Sequence, residues 1–176
     1  MSRYVGPILQ NGYVVRDWRR AAEHWSSVLG VGPFFVMEHI EFAACTYRGV
    51  SASIDMSVAI AYSGDLQIEL VEQHNDAPSI YRDFLTAHGE GLQHVGTLVP
   101  DLDAVLDARH WRERIVQAGS TTVGQRFAYV DVGIHEGGML ELIEVTPEAS
   151  AAFAYMKQAA ANWNGDRPIR LPKPKS

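Results

Sequence analysis

The stretch that decides the fold lies between residues 66 and 99 and contains two strand-like segments, LQIELVE at 66–72 and GLQHVGTLV at 91–99. The first alternates, so that Ile68 and Glu69 face opposite sides of a sheet. The second carries His94 near its start. A carboxylate and an imidazole on adjacent apolar strands are costly to bury without a partner, and a metal ion is one such partner. Exposure of both side chains to water is the alternative that this stretch alone leaves open.

The chain also contains an internal repeat, and this stretch belongs to both of its halves. Residues 10–17 correspond to residues 94–101 at an offset of 84 positions (94 − 10), and ELVE at 69–72 corresponds to ELIE at 141–144 at an offset of 72 (141 − 69). The repeated unit reads as a strand, a helix and three further strands. It makes Gln10 the counterpart of His94, and Glu69 the counterpart of Glu141. The residues matched between the first two segments are Gly12 with Gly96, Val15 with Val99, and Asp17 with Asp101.

These features resemble the vicinal oxygen chelate superfamily, which includes glyoxalase I, methylmalonyl-CoA epimerase, extradiol dioxygenases and metal-free resistance proteins. The resemblance covers about residues 7–147 and implies an α+β fold, in which two tandem βαβββ modules form a curved mixed sheet around a central cleft. A C-terminal helix follows the second module. The motifs most similar to those of the epimerases are IELVE at 68–72, PSI at 78–80, FL at 84–85, HGEG at 88–91 and QHVG at 93–96.

The repeat and the turn signals divide the chain into four parts. We expect a first module at 1–75, a connecting loop and short helix at 76–90, a second module at 91–147, and a helix with an extended tail at 148–176. Hydrophobic periodicity, capping residues and glycine stops predict the individual elements. The predicted helices span about 17–29, 79–87, 101–118 and 148–161, and the predicted strands span about 8–15, 34–47, 52–62, 66–72, 92–99, 120–125, 127–134 and 138–146.

The resemblance also implies a metal site, because the ligands in this superfamily lie on the first and fourth strands of each module. Carried over position by position, those ligands are Gln10, Glu69, His94 and Glu141. One imidazole, one amide oxygen and two carboxylates form a set of mainly hard oxygen donors, which suits Zn, Ni, Co, Mn or Mg with positions left for water or substrate. A closed structural zinc site would use thiolates, and this set has none.

Such a site predicts chemistry on a substrate with two neighbouring oxygens, which chelates the ion. Its Lewis acidity stabilises an enolate, and Glu69 and Glu141 are the candidates for moving the proton next to the carbonyl. We therefore expect a metal-dependent isomerase or epimerase, or a glyoxalase-type lyase, with an acyl-CoA or glutathione adduct among the candidate substrates. Epimerases place a second acid on the middle strands, where this chain offers only Asp55, so the exact epimerase activity is in doubt.

Two other functions are open at this stage. The first is a metal-free small-molecule binding protein of the resistance type, although such a protein does not need the four polar side chains. The second is an extradiol dioxygenase, whose iron prefers two histidines and one carboxylate. Gln10 occupies the position where the second histidine would stand, which disfavours this function.

The composition narrows the class of protein. A chain of 176 residues that is 47% hydrophobic predicts one globular domain or two small modules sharing a core, and its net charge of −6 argues against non-specific nucleic-acid binding. The single cysteine, Cys45, cannot form an internal disulfide, which favours a reducing cytoplasm. We expect no signal peptide and no membrane span, since no apolar run approaches about 18 residues. The resemblance implies a homodimer.

Overall fold

The computed structural model describes residues 4–172, and four helices and eleven strands lie within this range. The ends of the first and last predicted segments, residues 1–3 and 173–176, lie outside the described residues. The helices are α1 (Trp18–Leu29), α2 (Ile80–His88), α3 (Leu102–Ala108) and α4 (Pro147–Ala161). The strands are β1 (Gln10–Val14), β2 (Phe34–Met37), β3 (Phe42–Tyr47), β4 (Val50–Ser51), β5 (Met56–Ser63), β6 (Leu66–Gln73), β7 (Gly91–Val99), β8 (Ile115–Thr121), β9 (Arg126–Val130), β10 (Met139–Glu144) and β11 (Ile169–Arg170).

All eleven strands form one mixed sheet in the order β11-β2-β5-β6-β1-β7-β10-β9-β8-β3-β4. The two modules meet where β1 pairs with β7 in the antiparallel direction. On either side of this seam, β6 runs parallel to β1 and β10 runs parallel to β7. The predicted α+β fold is confirmed. The structure also shows that the halves pair within one chain, while the exact module boundaries stay a prediction.

The repeat is visible in the hydrogen bonds at the start of α1 and α3, the helix that follows the first strand in each module. Asp17 caps α1 through the backbone N–H of Arg20, and Asp101 caps α3 through that of Ala104, both at 2.9 Å. A glutamate at the end of the fourth strand adds a second acceptor. Glu72 accepts from the backbone N–H of Trp18 at 2.9 Å, and Glu144 accepts from that of Leu102 at 3.0 Å. The last residues of the ELVE and ELIE motifs therefore join each sheet strand to its helix.

The helix predicted for 101–118 is wrong beyond residue 108. Helix α3 ends at Ala108, a short 3-10 turn covers Arg112–Arg114, and residues 115–121 are strand β8. The prediction took Gly119 as the stop of the helix, but Gly119 lies inside strand β8, and Arg112 folds back onto Asp103 and Asp107 of α3. Strand β8 forms here because β9 and β3 both pair with it, a tertiary requirement that local periodicity does not contain.

The strand predicted for 34–47 is two strands that lie at different places in the sheet. Strand β2 pairs with β5 of its own module, whereas β3 crosses to the second module and pairs with β8. Residues 38–41 connect them and bridge the opening between the modules. The hairpin formed by β3 and β4 thus closes one end of the sheet, and residues 38–41 become part of the cleft wall.

The helices cover both faces of the curved sheet. Helix α1 packs on β5 and β6, and α3 packs on β9 and β10, each over its own apolar cluster. Helix α4 packs against β5, where Phe153 and Met156 join the cluster that also contains Val58 and Ile60. The tail predicted to be extended adds β11 to the sheet edge beside β2. Within residues 4–172, no helix is long and apolar enough to cross a membrane.

Candidate metal centre

The four predicted ligands lie on the four central strands of the sheet. Gln10 is on β1, Glu69 on β6, His94 on β7 and Glu141 on β10. Each is at most 8% exposed, although all four carry polar groups. Burying two carboxylates and an imidazole in an apolar sheet is expensive unless another charge compensates them. The architecture therefore places a costly group of polar side chains on both sides of the β1–β7 seam between the modules.

Three of these side chains lie in direct contact. The Nε2 atom of His94 is 3.1 Å from Oε2 of Glu69 and 3.5 Å from Oε2 of Glu141. Two ligand atoms that each lie about 2.1 Å from one ion are separated by about 3.0 Å in octahedral and about 3.4 Å in tetrahedral coordination. One donor atom from each of the three residues lies within 4.8 Å of the other two. The observed spacing suits a single divalent ion.

A neighbouring amide sets the tautomer of the histidine. As the amide is assigned, Oε1 of Gln93 lies 2.8 Å from Nδ1 of His94. A carbonyl oxygen only accepts, so Nδ1 carries a hydrogen and Nε2 is the nitrogen that faces the two carboxylates: it donates to Glu69 when the ring is protonated and would present a lone pair to an ion. Lone pairs that face one another in a buried site need a proton or a cation between them. This is the orientation that metal-binding histidines adopt in proteins.

Gln10 lies beside this cluster and lines the same cleft, but it does not share the close contacts of the other three. Its Nε2 donates to Oε1 of Gln67 at 2.7 Å, and Gln67 in turn donates to the hydroxyl of Tyr62 at 2.8 Å. This relay fixes the amide so that Oε1 is the free end. Among the described residues, Oε1 of Gln10 and Oε2 of Glu141 are buried without a hydrogen-bond partner. Both are acceptors, as ligands to a cation must be.

Two glycines make room for the two ligands at the seam. Gly12 lies opposite His94 in the β1–β7 register, and Gln10 lies opposite Gly96. A Cβ atom on Gly12 would overlap the imidazole ring, and one on Gly96 would overlap the amide oxygen of Gln10. Each module therefore contributes one predicted ligand and, two residues later, the glycine that leaves space for the ligand of the other module. This explains why the motif repeats with that spacing.

Two tyrosines that sequence reasoning did not select complete the floor of the site. The hydroxyl of Tyr81 donates to that of Tyr129 at 2.9 Å, and the ring of Tyr129 meets His94 edge-on with centroids 5.2 Å apart. Burial, followed by the nearby negative charge of Glu141, raises the pKa of both tyrosines well above 10. Both therefore stay neutral donors. Only a pattern of tyrosines facing the cleft would have found them, and Tyr81 lies on a helix whose orientation the sequence did not give.

Burial also changes the titration of the two central groups. It raises the pKa of Glu141 from 4.5 to about 7, with the positive charge of His94 opposing this shift and the negative charge of Glu69 adding to it. Burial alone would lower the pKa of His94. The hydrogen bond with Glu69 and the charges of Glu141 and Glu69 outweigh it, so the pKa of His94 is raised above 6.5. In the metal-free protein both groups therefore bind a proton more tightly than they would in water.

A prediction for stability follows from these shifts. The native metal-free protein binds a proton at Glu141 more tightly than the unfolded chain does, so its free energy of unfolding should fall as pH rises from about 4.5 to about 7. A shift of this size corresponds to about 3 kcal/mol. The raised pKa of His94 acts in the same direction from 6.5 upward. Urea unfolding across this range in the presence of a chelator checks the slope.

The matched control for this measurement is Glu144→Gln, on the same strand but outside the cleft. It should keep the pH dependence, whereas Glu141→Gln should remove the part between 4.5 and 7. A metal-free wild-type protein whose stability is constant over this range would contradict the assignment. Added divalent metal should reverse the slope, because binding requires the deprotonated ligands.

Gln10, Glu69 and Glu141 line a cleft of about 570 Å³ between the two modules and α4, and the fully buried side chain of His94 lies behind the two carboxylates. Its walls are mostly apolar and come from several elements. They include Met56, Val58 and Ile60 of β5, Phe127 of β9, and Phe153 and Met156 of α4. Its rim carries the exposed acids Glu38, Glu41 and Glu148. A small molecule that enters this cleft therefore meets apolar walls before it reaches the polar floor.

A duplicated βαβββ sheet with acids and an imidazole at the floor of its cleft defines a class of protein that binds small molecules or metal ions between two modules. The family model described as the glyoxalase/bleomycin resistance protein/dioxygenase superfamily matches residues 9–129. The chain belongs to this superfamily, and the predicted family membership is confirmed. No curated protein matches the sequence.

Several solved structures share the fold. Methylmalonyl-CoA epimerase from Mycobacterium tuberculosis is 23% identical, with a TM-score of 0.59, over 86% of this chain and 95% of that one. A hypothetical protein from Bacillus halodurans is 16% identical, with a TM-score of 0.56, over 80% and 94%. A variant of the Streptomyces coelicolor epimerase in complex with 2-nitronate-propionyl-CoA is 17% identical, with a TM-score of 0.52, over 81% and 96%. At these identities the likeness establishes the fold alone.

Proposed function

We propose that this protein is a divalent-metal enzyme that moves a proton at a carbon next to a carbonyl group, as an isomerase, an epimerase or a glyoxalase-type lyase. The observation that carries the proposal is the group formed by Glu69, His94 and Glu141, in which Nε2 of His94 lies 3.1 and 3.5 Å from oxygens of the two buried carboxylates. Glu69, His94, Glu141 and the free amide oxygen of Gln10 would hold the ion. When bound, a divalent ion would supply Lewis acidity to the oxygens of the substrate.

Glu141 is the side chain best suited to move the proton. Its Oε2 atom has no hydrogen-bond partner among the described residues, whereas Oε2 of Glu69 is engaged with His94. Burial raises the pKa of Glu141 to about 7 in the metal-free protein, and a bound divalent ion would lower it again, so Glu141 would accept the proton as a carboxylate that leaves the ion or works from its edge. The hydroxyl of Tyr81 donates to that of Tyr129, and the hydroxyl of Tyr129 in turn hydrogen-bonds with Glu141 and so holds this carboxylate in place. The apolar walls exclude water and so strengthen these interactions.

A metal reconstitution experiment tests the proposal. Chelator-treated protein is titrated in turn with Zn, Ni, Co, Mn and Mg, and thermal stability is recorded for each ion. We expect at least one ion to raise the melting temperature and to enable exchange of the proton next to a carbonyl for deuterium from solvent, followed by NMR on small dicarbonyl compounds. Protein that shows neither stabilisation nor exchange with any ion would refute the enzyme and favour a metal-free binding function.

The charges of the cleft narrow the class of substrate. Among the described residues that line it, none is lysine or arginine, and five are glutamates, namely Glu38, Glu41, Glu69, Glu141 and Glu148. Lys157, next to the cleft residue Met156 on α4, pairs with Asp65 at 2.5 Å. A polyanion such as an acyl-CoA needs cations to compensate its phosphates. We therefore infer that the portion of the substrate inside the cleft is apolar and uncharged apart from its chelating oxygens.

A charge reversal at the rim checks this inference. Wild-type protein should bind an uncharged aryl dicarbonyl at least tenfold more tightly than the same compound carrying an added carboxylate. Glu41→Lys should reduce that ratio, and the reduction should weaken as salt is added because Glu41 is exposed. Glu23→Lys on the outer helix α1 makes the same change in net charge and should leave the ratio unaltered. Equal affinities for both compounds in the wild type would count against a neutral substrate.

A dioxygenase is the weaker candidate for the same site. The group of three contains one histidine and two carboxylates, whereas iron oxygenases use two histidines and one carboxylate. The predicted homodimer and cytoplasmic location stay predictions.

A further inference from the structure

A second group of metal-binding side chains lies at the mouth of the cleft. It consists of His39, Asp55 and His74, which we call the mouth cluster, and one donor atom from each lies within 4.8 Å of the others. The three residues come from different segments. His39 follows β2, Asp55 directly precedes β5 and His74 directly follows β6. They converge in space although 35 residues of sequence separate the first from the last (74 − 39).

The hydrogen bonds orient His74 for coordination. Oγ of Ser57 accepts from the backbone N–H of His39 at 3.1 Å and lies 2.7 Å from Nε2 of His74. A hydroxyl both donates and accepts, so this contact does not set the tautomer of His74, and an ion bound at Nε2 would displace the Ser57 hydroxyl from that nitrogen. On the other side of the ring, Nδ1 lies 3.3 Å from Oε1 of Glu72. A histidine whose far nitrogen donates to a carboxylate is the arrangement that supports metal ligands.

The other two members are equally well positioned. Nδ1 of His39 is 2.7 Å from Oδ1 of Asp55, and the rings of His39 and His74 lie 4.8 Å apart. The backbone joins Asp55 to the His74 segment, because the N–H of His74 donates to the carbonyl of Asp55 at 2.8 Å. The side chains of His39 and Asp55 are 67% and 41% exposed. The inner part of the cluster is therefore held in place by hydrogen bonds, and its outer side is open to water or an ion.

We propose that the mouth cluster is a second divalent-metal site, distinct from the buried centre, which takes Zn²⁺ or a similar borderline ion. Two imidazoles and one carboxylate select Zn, Co or Ni over Mg and Ca, which prefer oxygen ligands alone. Donor atoms around such an ion stand about 3.4 Å apart, so small rotations of the exposed His39 and Asp55 side chains complete the set. Glu72 acts as the positioning residue through His74.

The consequence of this site concerns the cleft entrance. Glu38, His39, Ile40 and Glu41 line the cleft, and they belong to the connection that bridges the two modules. An ion shared by His39, Asp55 and His74 ties this connection to the ends of β5 and β6. Binding there fixes the wall of the mouth without touching the buried ligands.

Counting bound ions in two backgrounds tests the proposal. Equilibrium dialysis of chelator-treated protein against Zn²⁺ should give two equivalents for the wild type and one for Glu69→Ala/Glu141→Ala, the remaining ion being the one in the mouth cluster. Adding His39→Gln to that double variant should remove the remaining equivalent, whereas adding His24→Gln on α1 should keep it. Co²⁺ absorption provides a second signal, and circular dichroism with melting curves verifies that each variant is folded.

A conservative change tests the role of Glu72. Glu72→Gln keeps an oxygen acceptor for the helix but removes the charge behind His74, and it should weaken Zn²⁺ binding at this site by about 10- to 100-fold. Retention of the remaining equivalent in the His39→Gln variant would overturn the proposal, as would a Glu69→Ala/Glu141→Ala protein that binds no Zn²⁺. A wild-type protein that binds one equivalent, lost in Glu69→Ala/Glu141→Ala, would leave the buried centre standing and refute the mouth cluster.

Discussion

Glu141→Gln is expected to lower the rate of proton exchange by about 10³-fold or more and to weaken metal binding in the same variant. The amide has nearly the same shape, but it carries no negative charge for an ion and cannot accept a proton from carbon. Loss of a positioned general acid–base group alone accounts for about 10²- to 10⁴-fold. Metal content by elemental analysis and exchange rates by NMR measure the two effects separately.

The same substitution should increase the stability of the metal-free protein. Glu141 is buried beside Glu69, and its raised pKa shows that the site resists the second negative charge. At pH 8 the free energy of unfolding of the glutamine variant should be higher by about 1–3 kcal/mol, which would appear as a higher denaturant midpoint. A variant that loses exchange activity but gains free energy of unfolding would identify Glu141 as a functional residue that destabilises the metal-free fold. Glu144→Gln should change neither metal content nor exchange, and full metal content in Glu141→Gln would refute the assignment.

Gly12→Ala is expected to have the second largest effect. A Cβ atom there would overlap the imidazole of His94, and the ring has nowhere to retreat because Tyr129 and Gln93 contact it. We expect a loss of about 1–3 kcal/mol in stability from overpacking and a fall in metal affinity on the order of 100-fold. Thermal melting with and without metal measures both quantities.

A double-mutant cycle makes this prediction specific. Adding Gly12→Ala to a His94→Ala background should cost little, because the atoms that clash are gone. Gly91→Ala is the matched control on β7, since its Cβ would lie 3.9 Å from Phe84 at ordinary contact distance. A Gly12→Ala protein with normal metal affinity, or a cost that persists without the imidazole, would show that the glycine serves another purpose.

The sequence predicted the four central strands, β1, β6, β7 and β10, better than the strands farther out in the sheet. The repeat paired Gln10 with His94 and Glu69 with Glu141. The structure places carboxylate oxygens of Glu69 and Glu141 at 3.1 and 3.5 Å from Nε2 of His94. The reason is physical: residues two positions from a repeated glycine occupy equivalent places when β1 and β7 pair about the seam. The two-residue spacing between a ligand and a glycine reflects the close approach of β1 and β7, and it can therefore be recognised in a single sequence.

What the sequence missed depends on contacts between modules. Strand β8 was assigned partly to a helix, because Gly119, which was interpreted as the stop of that helix, lies inside the strand. The crossing of β3 to β8 has no local signature, since it is determined by an unpaired sheet edge in the other half. The mouth cluster was invisible for the same reason: His39, Asp55 and His74 meet only after two turns and a hairpin are folded.

The pairing of β1 with β7 inside one chain makes each polypeptide self-sufficient. Glu69, His94 and Glu141 all belong to the same molecule, so no ligand of the buried centre has to be borrowed from another copy. Dilution that separates copies leaves the centre whole. Mixing a Glu69 variant with a Glu141 variant should therefore not restore metal binding. Each chain could contribute its intact module to the other only if the pairing of β1 with β7 were broken.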